Sequence, residues 1–155
     1  MKKLLAVLTL SLFVYGCSST ATSTKQENQQ PSNSKLALTA ENLQHHNWVL
    51  VKINDNKFKV PENFEVPNIE INEKLTTTGR AGCNNFFGQI EVKGDQLRID
   101  GMGMTRMMCI GNIVDIENAV TATLSDWSDV TLTKEQLILK GDKYTLTYVL
   151  RDYMI

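Results

Sequence analysis

Three cysteines carry most of the chemistry open to this chain. Cys17 closes a short apolar N-terminal run in Val14-Tyr15-Gly16-Cys17, and Cys83 and Cys109 follow, 26 positions apart. A thiol at the end of such a run is where a bacterial lipoprotein is cut and acylated. With Cys17 spent on a lipid, the other two form an even pair. In an oxidising compartment an even pair can bridge. A bridge of this span would contribute about 3.5 kcal/mol on the chain-entropy view. The same two residues also allow a buried free pair, or a redox or metal role. No Cys-x-x-Cys stands here to favour an oxidoreductase.

Other residue types offer weaker chemistry. Met102, Met104, Met107 and Met108 cluster beside Cys109. Thioethers and thiolates suit Cu(I), but methionine also fills irregular core gaps. The core reading is preferred, and no metal or other cofactor is assigned. His45 and His46 are adjacent, so on a strand they would point to opposite faces and make a poor pair of ligands. A Cys-His dyad is conceivable on residue types alone, yet a bridged cysteine pair leaves no nucleophile. No Gly-x-Ser-x-Gly, His-Glu-x-x-His or phosphate loop appears. The expectation is a protein without enzymatic activity. Phe58, Phe64, Met102, Met104 and Trp127 could line an apolar cleft, or simply form the core.

The elements that position these residues are short strands. Trp48 to Val51 is apolar on both faces, as in a buried strand. Ile69 and Ile71 alternate with polar residues, and Lys74 to Thr78 is rich in threonine. Ile90 and Val92, then Leu97 and Ile99, flank Gly94-Asp95 as a hairpin. Val130 and Leu132 resume the alternation. Leu137 to Leu139 and Tyr144 to Leu150 make a last hairpin around Gly141-Asp142. Between them Ile113, Ile116, Val120, Leu124 and Trp127 recur at helical spacing, predicting a helix over about 112–127 with Asn112 as its N-cap. Asp115 and Glu117 suit the positive end of its dipole. A further helical turn within 36–46, capped by Thr39, is also expected. Seven or eight strands with one internal helix make an α+β, mostly β, domain.

The N-terminus reads as an address. Lys2 and Lys3 precede an apolar stretch from Leu4 to Tyr15, too short to span a bilayer as a helix. Residues 1–16 are therefore expected to be a lipoprotein signal peptide. A diacylglyceryl group and an amide-linked palmitate-type chain on Cys17 would make a stable anchor. Ser18 is a neutral residue where inner-membrane retention resembles Asp. The expected location is therefore the outer membrane, lipid-anchored and facing the periplasm. Residues 17–35 contain no aromatic or large aliphatic side chain. They cannot offset their ordering entropy by burial, so they read as a flexible tether with a reach of about 23 Å. Residues 36–155 form the domain. With Lys2 and Lys3 removed, 14 basic side chains face 17 acidic ones, a balance near −3. No basic patch suits nucleic acid.

Two segments carry a family resemblance. One is Gly79-Arg80-Ala81-Gly82-Cys83-Asn84-Asn85-Phe86-Phe87-Gly88, and the other is Thr105-Arg106-Met107-Met108-Cys109. They resemble the META/HslJ family of small bacterial envelope domains, whose pattern is G-x-x-G-C-N-x-F-x-G followed by T-x-M-x-C. Gly79, Gly82, Cys83, Asn84, Phe86, Gly88, Thr105, Met107 and Cys109 match in order, while Phe87 and Met108 fall at variable positions. The resemblance spans residues 43 to 150. It implies an antiparallel, partly open β-barrel with a helix packed against it, and a stress-related or envelope-maintenance role. It supplies no reaction. The expected function is a non-enzymatic binding or chaperone-like role in cell-envelope stress. The alternative is a carrier or accessory factor for an apolar ligand or an outer-membrane complex. The expected partners are the membrane, through the lipid, and an envelope protein or apolar ligand.

Overall fold

Alternating inward side chains build a sheet that closes on itself. The computed structural model describes residues 34–151. The signal segment, Cys17 and most of the proposed tether lie outside the described residues. Within them the order is α1 (Ala40–Leu43), β1 (His46–Ile53), β2 (Asn68–Ile71), β3 (Thr76–Arg80), β4 (Asn85–Lys93), β5 (Gln96–Met104), α2 (Asn112–Leu124), β6 (Ser128–Leu132), β7 (Gln136–Lys140) and β8 (Thr145–Leu150). Each strand pairs antiparallel with the next, and β1 also pairs with β8. The ring is thus a closed eight-stranded barrel. An eight-stranded ring is just wide enough for its interior to be filled by side chains. Trp48, Leu50, Ile69, Phe86, Leu139 and Tyr148 are among those that fill it.

The closure is uneven. β5 and β6 pair only at Gln96↔Asp129 and Leu97↔Ser128. β6 begins only at Ser128, so it offers β5 no partner beyond Leu97, and β5 is itself irregular further on. Between Phe87↔Gly103 and Gln89↔Asp100 the chain advances two residues on β4 and three on β5. The extra residue is a bulge at Gly101, whose φ of +59° an L side chain rarely adopts. A bulge bends its strand and raises the local twist. Beyond Leu97, β5 pairs with β4 alone. This seam is the weakest in a barrel that is closed, where a partly open one was expected.

α2 packs against β5 and β8. Its composition does not favour a helix, because two isoleucines, two valines and two threonines lower the propensity. Burial forms it instead, with Ile113, Ile116, Ala119, Val120 and Leu124 all turned into the core. Three details of the expected helix change. It ends at Leu124, capped by Ser125, so Trp127 is not on its stripe. Gly111 holds the N-cap position with no side-chain bond. Asn112 instead donates from Nδ2 to the Lys59 carbonyl at 2.8 Å, tying the β1–β2 connection to the helix start. The expected turn near residue 40 is present, and Thr39 Oγ1 accepts from Asn42 N–H. No helix among the described residues is long and apolar enough to cross a membrane.

Candidate functional site

Asn84 has a buried side chain, 4% exposed. A buried amide must place its donors and acceptors, and this one places them all. Its main-chain N–H donates to Glu117 Oε2 at 2.6 Å, and its Nδ2 donates to Glu117 Oε1 at 2.9 Å. Nδ2 also reaches the Met107 carbonyl at 3.3 Å and Cys109 Sγ at 3.7 Å. Its Oδ1 accepts from Thr105 Oγ1 at 2.8 Å and from Met107 N–H at 2.7 Å. One side chain therefore joins the β3–β4 loop, the segment after β5 and α2. Glu117, expected to complement the helix dipole, has this bonding role instead.

Cys83 and Cys109 form a disulfide with their Cα atoms 6.3 Å apart. Their sulfurs and a Glu117 oxygen lie within 4.8 Å of one another, the one such grouping found among the described residues. While the sulfurs are bonded to each other they are not thiolate ligands. The remaining matched positions frame the node. Gly79 lies on β3 against the Phe86 ring, and Gly82 lies against Ile113 and Glu117 of α2. Gly88 faces Ile99 across the bulge. Thr105 also accepts from the Asn85 N–H at 3.1 Å.

This network has a consequence for the surface. Residues 105–110 belong to no helix or strand, yet Thr105, Met107 and Cys109 are fastened by Asn84 and the disulfide. The side chains between and beside these fasteners face outward. Met108 is 97% exposed, Ile110 85% and Met107 53%. Phe87 on β4 is 60% exposed, its ring lying over Gly103 of β5. Met102 and Met104 are half-buried below. Phe87, Met102, Met104, Met107 and Met108 line a groove of about 820 Å³ that also includes Arg106 and Glu117, with Ile110 exposed outside its lining. A second hollow of about 500 Å³ shares Met104 and Glu117 with it and follows α2 past Thr121 and Ala122 to Tyr144 and Lys143. Exposed apolar surface held in place by fully bonded polar groups is a mark of an interaction site.

The expected cleft is only partly assembled. Met102 and Met104 share the groove. Trp127 lies in a separate hollow near Asp126 and Gly141, with the Arg98 guanidinium 4.9 Å from its ring centroid. Phe64 lines another with Val49 and Arg151, and Phe58 packs against the core. Phe87, Met108 and Ile110 were not among the expected cleft residues. One signal for Phe87 was present: adjacent strand residues face opposite sides, so of Phe86 and Phe87 one had to point out. His45, at φ +61°, precedes β1 and approaches Glu73 at 3.4 Å, whereas His46 packs edge-on to Trp48. The two do not act as a pair. Both rim a hollow of about 400 Å³ with Asn47, Glu70 and Asn72.

Comparison with known proteins matches residues 41–153 to the family model described as META domain. A relative, Heat shock protein HslJ of Escherichia coli (strain K12), is 36% identical over 155 residues, covering 99% of each chain. A protein structure solved by NMR superposes with a TM-score of 0.65 at 35% identity, covering 76% of this chain and 99% of that one. A second NMR structure, from Burkholderia xenovorans, gives a TM-score of 0.57 at 24% identity over 79% of this chain and 97% of that one, a likeness of fold.

Proposed function

The chain belongs to the META domain family, and we propose that it is a lipid-anchored envelope protein with a non-enzymatic, chaperone-like binding role under stress. The stress role is suggested by the relative's name, Heat shock protein HslJ. The anchor rests on Cys17 and the apolar run before it. The observation that carries the binding role is the exposed apolar surface of Phe87, Met107, Met108 and Ile110, pinned by the Asn84 network. Methionine suits such a task because its flexible, polarisable side chain adapts to differently shaped apolar partners. Proteins losing structure in the envelope expose that kind of surface.

The test is light scattering of a heat-denatured client protein in the presence of the purified domain. The domain should slow aggregation, and Met108→Glu with Ile110→Glu should remove the effect while the thermal midpoint stays put. Aggregation that proceeds unchanged with the wild-type domain would sink the chaperone-like reading. Membrane fractionation of Cys17→Ser tests the anchor separately, since loss from the membrane pellet is expected.

A further inference from the structure

The groove runs along an unpaired strand edge, and that combination specifies what it can hold. Past the Gly101 bulge, Gly103 and Met104 pair with β4 on one side, and Met102, Gly103 and Met104 have no strand on the other. The groove wraps this edge. On one face of β5 the Phe87 ring lies over Gly103. On the other, Met104 faces α2, where its sulfur accepts from Thr121 Oγ1 at 3.7 Å. A strand laid along the edge would send alternate side chains to those two apolar faces. Its main chain would meet the unpaired groups of β5, the arrangement by which extended peptides add to sheets.

We propose that the β5 edge at Met102–Met104 and the adjoining groove along α2 bind an extended apolar segment of another polypeptide as an added strand. This rests on the binding role proposed above and names its ligand class. The groove meets α2 only between Glu117 and Ala122, so it accommodates about three extended residues, at about 1.5 Å per helical and 3.3 Å per strand residue, matching the three-residue edge. Main-chain pairing reads no sequence. Phe87, Met102 and Met104 supply apolar contact without a fixed shape. A chain that has lost its fold offers both features. A bilayer offers no strand to pair. Lys35, near the start of the described residues, meets the barrel elsewhere, its Nζ bonding Asp95 at 2.8 Å in the β4–β5 turn. That turn lies about 25 Å along the hairpin from Met104.

The experiment titrates the full chain, solubilised with its anchor, with an acetylated and amidated octapeptide of alternating leucine and threonine. A second titration uses the same peptide with every amide N-methylated. Calorimetry reads affinity, and amide hydrogen exchange reads the edge. The unmethylated peptide should bind, and exchange at Met102 and Met104, whose amides point away from β4, should slow at least tenfold. The methylated peptide should bind at least tenfold more weakly, the effect of one or two lost hydrogen bonds. Phe87→Glu, at an exposed position, should weaken binding without shifting the thermal midpoint. Equal binding of both peptides would overturn strand addition while leaving the apolar binding role intact. Suppressed client aggregation without protection of the β5 edge would do the same. Failure of both peptide binding and aggregation suppression would overturn both proposals.

Discussion

Asn84 and Glu117 are bonded twice, once through the Asn84 main-chain N–H and once through its side-chain Nδ2, each to a different oxygen of the one carboxylate. Hydrogen bonds to a charged group are stronger than neutral ones, and this pair is largely shielded from solvent. The residues are 33 positions apart, so the pair fixes α2 to the β3–β4 loop. Asn84→Ala strands the Met107 N–H and part of Glu117. A loss of about 3 kcal/mol is expected, lowering the thermal midpoint by about 10 °C. Glu117→Gln, which places an amide among donors, should also destabilise. The two changes together should cost less than their sum, a coupling of at least about 1 kcal/mol. Strict additivity in calorimetry would show that the pair is not a unit.

The disulfide beside that pair should stabilise the domain as well. Its loss, by Cys83→Ala with Cys109→Ala, is expected to cost about 3.5 kcal/mol. Wild-type protein held in reductant should approach the same midpoint. Thiol labelling decides the prior question. Protein purified without reductant should take up no label at Cys83 or Cys109 once unfolded, and two labels after reduction. Full labelling without reductant would remove the bridge.

Periodicity made most of the fold legible. Ile69, Ile71, Ile90, Leu97, Ile99, Val130 and Leu132 all point inward as their alternation requires, and the stripe of Ile113, Ile116, Val120 and Leu124 is the buried face of α2. What failed was local. Trp127 fits a helical spacing from Leu124, but spacing does not register that the chain leaves the helix at Ser125. Asn112 has the chemistry of an N-cap, yet Gly111 at φ +80° takes that position and frees Asn112 for the Lys59 carbonyl. The surface was least legible of all. Residues 105–110 follow no period, because hydrogen bonds to Asn84 and a disulfide shape them rather than a helix or a sheet. Such partners lie more than 20 positions away in sequence, so no local pattern marks which side chains will face out.

Tyr148 is fully buried on β8, and its hydroxyl has no hydrogen-bond partner among the described residues. Burial pushes its ionisation well above the ordinary tyrosine range. The sign follows from linkage. Above about pH 10 an unfolded chain loses this proton and the folded chain keeps it, so the unfolded state binds fewer protons and stability falls as pH rises. Urea midpoints measured from pH 9 to 11.5 should decline more steeply for wild type than for Tyr148→Phe. At pH 7, Tyr148→Phe should be neutral or slightly stabilising, because it removes a polar group whose burial is uncompensated. A loss above about 1 kcal/mol at pH 7 would mean that the hydroxyl is bonded in solution.

Gly82 tests how closely the β3–β4 loop must approach α2. A Cβ there would lie 2.9 Å from both Glu117 Cβ and the Ile113 carbonyl oxygen. Neither is the far end of a flexible side chain, so relief requires the helix or the loop to move. Movement in either would stretch the Asn84–Glu117 bonds and disturb the segment that carries Met107 and Met108. Gly82→Ala should therefore cost about 1–3 kcal/mol by overpacking. It should also weaken client binding, although residue 82 itself does not line the groove. Gly94, at φ +61° in the β4–β5 turn with open space around it, provides the contrast. Gly94→Asn places a residue that tolerates that conformation far from α2, and it should change stability by less than about 0.5 kcal/mol and leave binding unaltered. If Gly82→Ala keeps both stability and binding, the contact between loop and helix does not hold the surface in place.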